Sequence, residues 1–190
     1  NFLLVAARLP PHDAARPQLR MVRVRAEAPG VTITLMPPTA FVPEVPHARL
    51  TFEEVAIADS EVLPGDGYER YIKPFRTVED IHVTAALLAC ALAEACRRDW
   101  PTAWRERAAM SLLGFEALSQ LDPAAPLTQL ALTGALAGSS ALFEEANAWW
   151  QATPEDPASL RWARDARLFA VASGVRQQRA LRAWERLAAG

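Results

Sequence analysis

The prolines of this sequence dictate where helices can run. Nine of the fifteen fall between Pro10 and Pro64, while Pro74, Pro101, Pro123, Pro126, Pro154 and Pro157 bracket long runs with no interior breaker. Proline lacks the N–H that an interior turn needs and its ring crowds the turn before it, so it marks starts and stops. From Gly67 onward the pattern is helical. One apolar-periodic run covers Tyr68 to Arg98, with Pro74 inside it, so the first turn is expected to be separate or kinked. A second fits Thr102 to Gln120, a third Pro126 to Gln151, and a fourth Pro157 to about Ala188. Gly174 interrupts the fourth, which allows two helices joined by a turn. The 38 alanines favour helix. Short proline-bearing connections imply antiparallel neighbours and a four-helix bundle over 67–190.

Residues 1–66 follow a different pattern. Phe2 to Ala7 is a short apolar run, and Leu19 to Arg25 alternates, with Val22 and Val24 on one face and Arg23 and Arg25 on the other. Val31 to Leu35 is β-branched and follows the turn pair Pro29-Gly30. Pro37, Pro38, Pro43 and Pro46 force an irregular loop, after which Leu50 to Ile57 regains strand character. We expect about four short antiparallel strands in a half-buried sheet or partial barrel, so the fold class is α+β.

A net charge of −2 argues against a dedicated nucleic-acid binder. Mean hydropathy of +0.01 and the lack of a long uninterrupted apolar stretch argue against a membrane protein. Cys90 and Cys96 are six residues apart in an Ala-rich helical run, on different sides of the helix, and are expected to be reduced and buried in a cytoplasmic protein. His12, His47 and His82 share no metal-ligand spacing, so no zinc site is expected. The chain opens Asn-Phe-Leu-Leu-Val, which reads as a start in mid-strand with part of the natural protein missing.

The stretch Arg49 to Tyr68, RLTFEEVAIADSEVLPGDGY, closely resembles the strand-and-linker signature of the acyl-CoA dehydrogenase family. Pro29-Gly30-Val31 fits the turn into that family's preceding strand. Arg164 to Gly174, RDARLFAVASG, is similar to its Arg-Asp-Ala segment ending in Glu-Gly. The resemblance covers the second half of that fold, the end of the β domain and the C-terminal helical domain.

The resemblance implies an FAD-dependent α,β-dehydrogenation of an acyl-CoA thioester in fatty acid metabolism, with a glutamate removing the α-proton. A base of this kind needs a carboxylate in an apolar pocket, where desolvation raises its pKa. Ser173 stands at the usual base position, and serine cannot be a carboxylate base. Some family members carry the glutamate on the first long helix instead. Counting forward from Gly67 puts that position on Val78; counting back from Val83-Thr84-Ala85-Ala86 puts it on Glu79. We take Glu79, because Val78, Ile81 and Val83 then keep apolar positions; Asp80 then stands where the family usually has Arg. The resemblance assigns flavin contacts to Arg164, Gly174, Val175 and Gln177. The family's Arg-x-x-Phe-Gly motif is absent from Asp99 to Trp104.

Seven arginines against two carboxylates make residues 160–190 basic, either as a phosphate site or as a solvated face. Trp149 and Trp150 could stack on an adenine or a flavin, or divide between core and interface. Two functions stay open: an acyl-CoA dehydrogenase-like flavoprotein, and a non-catalytic relative acting in oligomerisation or partner binding. A homo-oligomer, or a chain supplying the N-terminal half, is the expected partner, with acyl-CoA bound if the protein is active.

Overall fold

The structure is a computed structural model that describes residues 1–10, 18–169 and 173–188. It divides into two units, Asn1–Pro74 and Phe75–Gly190.

In the first unit, β1 (Phe2–Arg8) pairs antiparallel with β2 (Leu19–Arg25), in a register running from Phe2 opposite Arg25 to Arg8 opposite Leu19. β3 (Val31–Leu35) pairs antiparallel with β4 (Ala48–Phe52). The alternation in β2 is realised, with Val22 and Val24 buried and Arg23 and Arg25 exposed. The expected single sheet or partial barrel is corrected: the strands form two separate two-stranded sheets. β4 is exposed along its whole length, and Leu35 of β3 is 76% exposed. β4 also stops at Phe52, ahead of Glu54, whose φ of 49° is incompatible with a continuing strand.

Gly30 explains the Pro-Gly-Val turn. Its φ is 86°, and a Cβ there would collide with the Glu53 carbonyl. After β4 the chain returns to β2: Leu63 N–H donates to the Met21 carbonyl at 2.8 Å, and Arg23 meets Glu61 at 2.5 Å. Gly67 lies against the Leu19 and Arg20 backbone, where a side chain would have little room.

From Tyr68 onward the chain is helical. A π-helical turn, Tyr68–Ile72, precedes α1 (Lys73–Arg97), so the first turn is distinct from the long helix that contains Pro74 near its start. α2 (Thr102–Ser119) and α3 (Pro126–Gln151) begin at or beside their prolines. The fourth run divides into α4 (Pro157–Asp165), a 3-10 turn at Ala166–Phe169, and α5 (Ser173–Ala188). Asp156 caps α4 by accepting the Ala158 N–H at 2.8 Å.

α3 is the centre, with α2, α5 and α4 packed on it. Its Leu132, Leu142, Phe143, Ala146 and Trp150 meet Leu88 and Ala91 of α1, Trp104 and Phe115 of α2 and Trp162 of α4 in one core. Trp100, Trp104 and Trp150 pack edge to face, and Trp150 stacks on Trp162 at 5.2 Å. Trp149 tilts against Trp100 at 5.1 Å, so both adjacent tryptophans belong to the core or its margin. Cys90 and Cys96 are free but exposed, which corrects the expected burial. The buried stripe of α1 runs Thr77, Ile81, Thr84, Leu88, Ala91, Ala95, and neither cysteine lies on it.

Leu88 is fully buried in this core. Leu88→Ala is expected to lower the unfolding free energy by about 2–5 kcal/mol in urea denaturation followed by tryptophan fluorescence. Met110→Ala, on the exposed side of α2, is expected to change it by less than about 0.5 kcal/mol.

Candidate functional site

The register of α1 sets the positions of its two adjacent carboxylates. Thr77, Ile81 and Thr84 take the inward positions, leaving Val78 and Val83 each 38% exposed. Of Val78, Ile81 and Val83, expected at apolar positions, only Ile81 is buried. Threonines pack where valines were expected, and the Thr77 hydroxyl is buried without a hydrogen-bond partner. Glu79 lies on the exposed face, beside Val78 and one turn from Phe75 and Val83. Asp80 is one residue and about 100° further round, which turns it toward α5.

There Asp80 is clamped by two arginines. Arg176 donates from Nε and Nη2 to Oδ1 at 3.0 and 2.9 Å, and Arg179 donates from Nη2 to Oδ2 at 2.7 Å. Asp80 is 14% exposed and Arg179 only 9%. The clamp joins the stretch of α1 that carries Glu79 to the first turns of α5, which begins at Ser173. The two places where the family resemblance could put a base therefore lie on helices joined by this ion cluster.

The other predicted positions are dispersed. Arg164 presents its Nε and Nη2 to both oxygens of Asp165, at 2.7 and 2.8 Å. Gly174, Val175 and Gln177 lie in the first turns of α5, and their side chains, like that of Ser173, are outside the described residues. His82 is exposed on α1 and His47 on the loop before β4, while His12 lies outside the described residues. No group of three potential metal ligands occurs among the described residues.

The basic C-terminal segment is divided: Arg161, Arg167 and Arg182 are exposed, as a solvated face would have them, while others bind within the fold. Arg176 and Arg179 turn in to Asp80, and Arg186 donates to Oε1 of the buried Gln129 at 2.5 Å. A charge count cannot distinguish arginines that bind within the fold from arginines that face water. The i, i+3 spacing of Arg176 and Arg179 was the available signal, since it puts both on one face.

A second polar centre closes the far end of α1. Arg98 donates to Glu94 at 3.0 Å, to Asp156 at 2.6 Å and to the Thr153 hydroxyl at 2.6 Å, and its guanidinium lies 5.1 Å from the Trp150 ring centroid. Arg97, Arg98, Trp100, Trp149, Thr153 and Asp156 line a shallow cavity of about 420 Å³ beside it. The hydrogen bond from Arg97, with that from Arg98, holds the Glu94 carboxyl below the usual carboxylate range. The Ala158 N–H, with Arg98, does the same for Asp156.

No family model matches the sequence, and no curated protein does. Solved structures do. A glutaryl-coenzyme A dehydrogenase in complex with glutaryl-CoA superimposes with a TM-score of 0.57 at 14% identity, over 90% of this chain and 50% of that one. An acyl-CoA dehydrogenase from Slackia heliotrinireducens gives 0.50 at 16% identity, over 100% of this chain and 58% of that one. FkbI, from biosynthesis of the methoxymalonyl extender unit of the polyketide immunosuppressant Fk520, gives 0.50 at 18% identity over the same shares. The chain thus spans little more than half the length of the solved structures it matches. The likeness establishes the fold: a short β region followed by an acyl-CoA dehydrogenase-like C-terminal helical bundle.

A carboxylate whose pKa is lower in the folded state adds stability above its unfolded pKa and loses it as the pH falls through the folded value. Asp156 and Glu94 are both of this kind. Urea midpoints are expected to fall on acidification below about pH 4. Asp156→Asn should lower the neutral plateau and flatten that acid limb; an unaltered limb would count against the assignment.

Proposed function

We propose that this chain is a helical assembly module of acyl-CoA dehydrogenase type, which associates with a second copy of itself and carries out no flavin redox chemistry. The observation that supports this is the orientation of α5. Its Arg176 and Arg179 turn inward to Asp80, while Leu181, Trp184 and Leu187 point out, with Trp184 63% exposed. A surface helix ordinarily does the reverse. An outward ridge of this kind is stable in water when another surface covers it, and a second copy brings the same ridge to a two-fold contact.

The flavin implied by the sequence resemblance does not fit the described residues. Arg164, the one cation assigned to it, has its guanidinium fork occupied by Asp165.

The surroundings of Glu79 favour a second reading, in which it is the base of an acyl-CoA dehydrogenase-like reaction. Glu79 lies among the exposed apolar side chains Phe75, Val78 and Val83. A surface closing over that patch would desolvate the carboxylate and raise its pKa, as removal of a proton next to a thioester carbonyl requires.

Sedimentation velocity of the 190-residue chain is expected to give a dimer that Leu181→Ser with Trp184→Ser converts to monomer. A monomer at all concentrations would overturn the assembly reading. Absorbance after incubation with FAD and desalting is expected to lack flavin bands. Bands that persist, together with acyl-CoA turnover abolished by Glu79→Gln in a protein that stays folded, would establish the second reading instead.

A further inference from the structure

We infer that two copies of the chain pair through α5 in antiparallel orientation, with Trp184 of each near the two-fold axis and Arg182 of each opposite the partner's Glu185. This pairing rests on the assembly reading and adds to it an orientation and the charges that set it. The borders of the apolar ridge decide that orientation. Each residue of a helix turns by about 100°, so Leu181 lies about 60° to one side of Trp184 and Leu187 about 60° to the other. Beyond Leu181, on the same side, come Glu185 at about 100° and Arg182 at about 160°. Both are exposed, and among the described residues no ion pair engages either. Beyond Leu187 the opposite border is closed, because Ala183 is fully buried and Arg176 is held by Asp80.

A two-fold contact is self-complementary: where residue i meets residue j, j meets i. Two antiparallel helices lay like side on like side in reversed order, so the border bearing Arg182 and Glu185 meets the same border of the partner. An axis level with the interval between Ala183 and Trp184 then sets Arg182 opposite the partner's Glu185, and Glu185 opposite the partner's Arg182. The same axis brings the two Trp184 side chains together and puts Leu181 within about 1.5 Å of axial rise of the partner's Leu187. One register thus matches both charges and covers all three apolar side chains. A parallel pair would lay the charged border against the closed one, and Arg182 and Glu185 would find no counter-ion there. Charges at the rim of a contact choose its orientation more than they add to its affinity, which comes from the large apolar groups at its centre.

The test is sedimentation velocity of the full chain and of charge-reversed variants. Arg182→Glu alone places like charges at both rim contacts, as does Glu185→Arg alone, and each should weaken self-association about tenfold or more. Mixing the two variants should restore it, because each rim contact then joins a carboxylate to a guanidinium. The chain carrying both substitutions should dimerise like the unaltered one. In the unaltered chain the dissociation constant should rise severalfold between about 0.05 and about 0.5 M sodium chloride, where a purely apolar contact would hold or tighten.

A dimer unmoved by either single reversal, or a mixture no more associated than its components, would overturn the antiparallel pairing and leave the assembly reading in place. An unaltered chain that is monomeric throughout would overturn both and leave the ridge to a partner of another kind. Both substituted side chains are exposed, so circular dichroism is expected to show each variant folded. Should one fail to fold, the salt dependence of the unaltered chain decides alone.

Discussion

The helical unit depends on what α3 can bury. Its Leu132, Leu142, Phe143, Ala146 and Trp150 fill the interval between the other helices, and the large rings come to it from α2 and α4 as Trp104 and Trp162. Rings of this size bring polar atoms inside with them. The Trp104 indole N–H is satisfied by the Leu142 carbonyl at 2.9 Å, so its burial carries no orphan donor. Trp150 is enclosed differently, with Arg98 near its ring, Trp162 stacked on it and Trp100 edge-on. The cation that stabilises that ring also joins Glu94 at the end of α1 to Asp156 at the cap of α4. Aromatic packing and helix termination at this end of the bundle are thus one interaction.

The fold was largely legible because its boundaries are made of residues with strong local rules. Pro101, Pro126 and Pro157 stand at helix starts, and α3 spans Pro126 to Gln151 as the sequence pattern indicates. Pro29-Gly30 marks a turn that needs both a positive φ and the absence of a Cβ. What was not legible depends on side chains that can take either of two roles. Thr77 and Thr84 sit in the core while the neighbouring Val78 and Val83 are partly exposed, although the Thr77 hydroxyl is buried without a partner, so hydrophobicity residue by residue does not fix a helix's rotation. The two hairpins remain separate because strand patterning specifies which face is apolar and not which strands join.

The site was less legible than the fold, for a physical reason. Motif spacing locates a residue along a helix, whereas chemistry depends on its rotation about the axis and on what the opposite helix brings. Glu79 and Asp80 are neighbours in sequence with different surroundings: one lies among exposed apolar side chains, the other between two arginines. The arginines of α5 are equally ambiguous in a charge count. Arg176 and Arg179 are committed to α1, and Arg186 reaches across to α3.

That commitment links the polar and apolar features of α5. A helix whose inward side is held by arginines has to place its large apolar residues elsewhere, and Leu181, Trp184 and Leu187 are the result. Exchanging polar and apolar sides would bury the ridge, but it would also take Arg176 and Arg179 from Asp80 and leave that carboxylate facing the bundle without a cation. The ion cluster therefore determines the rotation of α5, and the rotation of α5 determines which surface is left for another molecule.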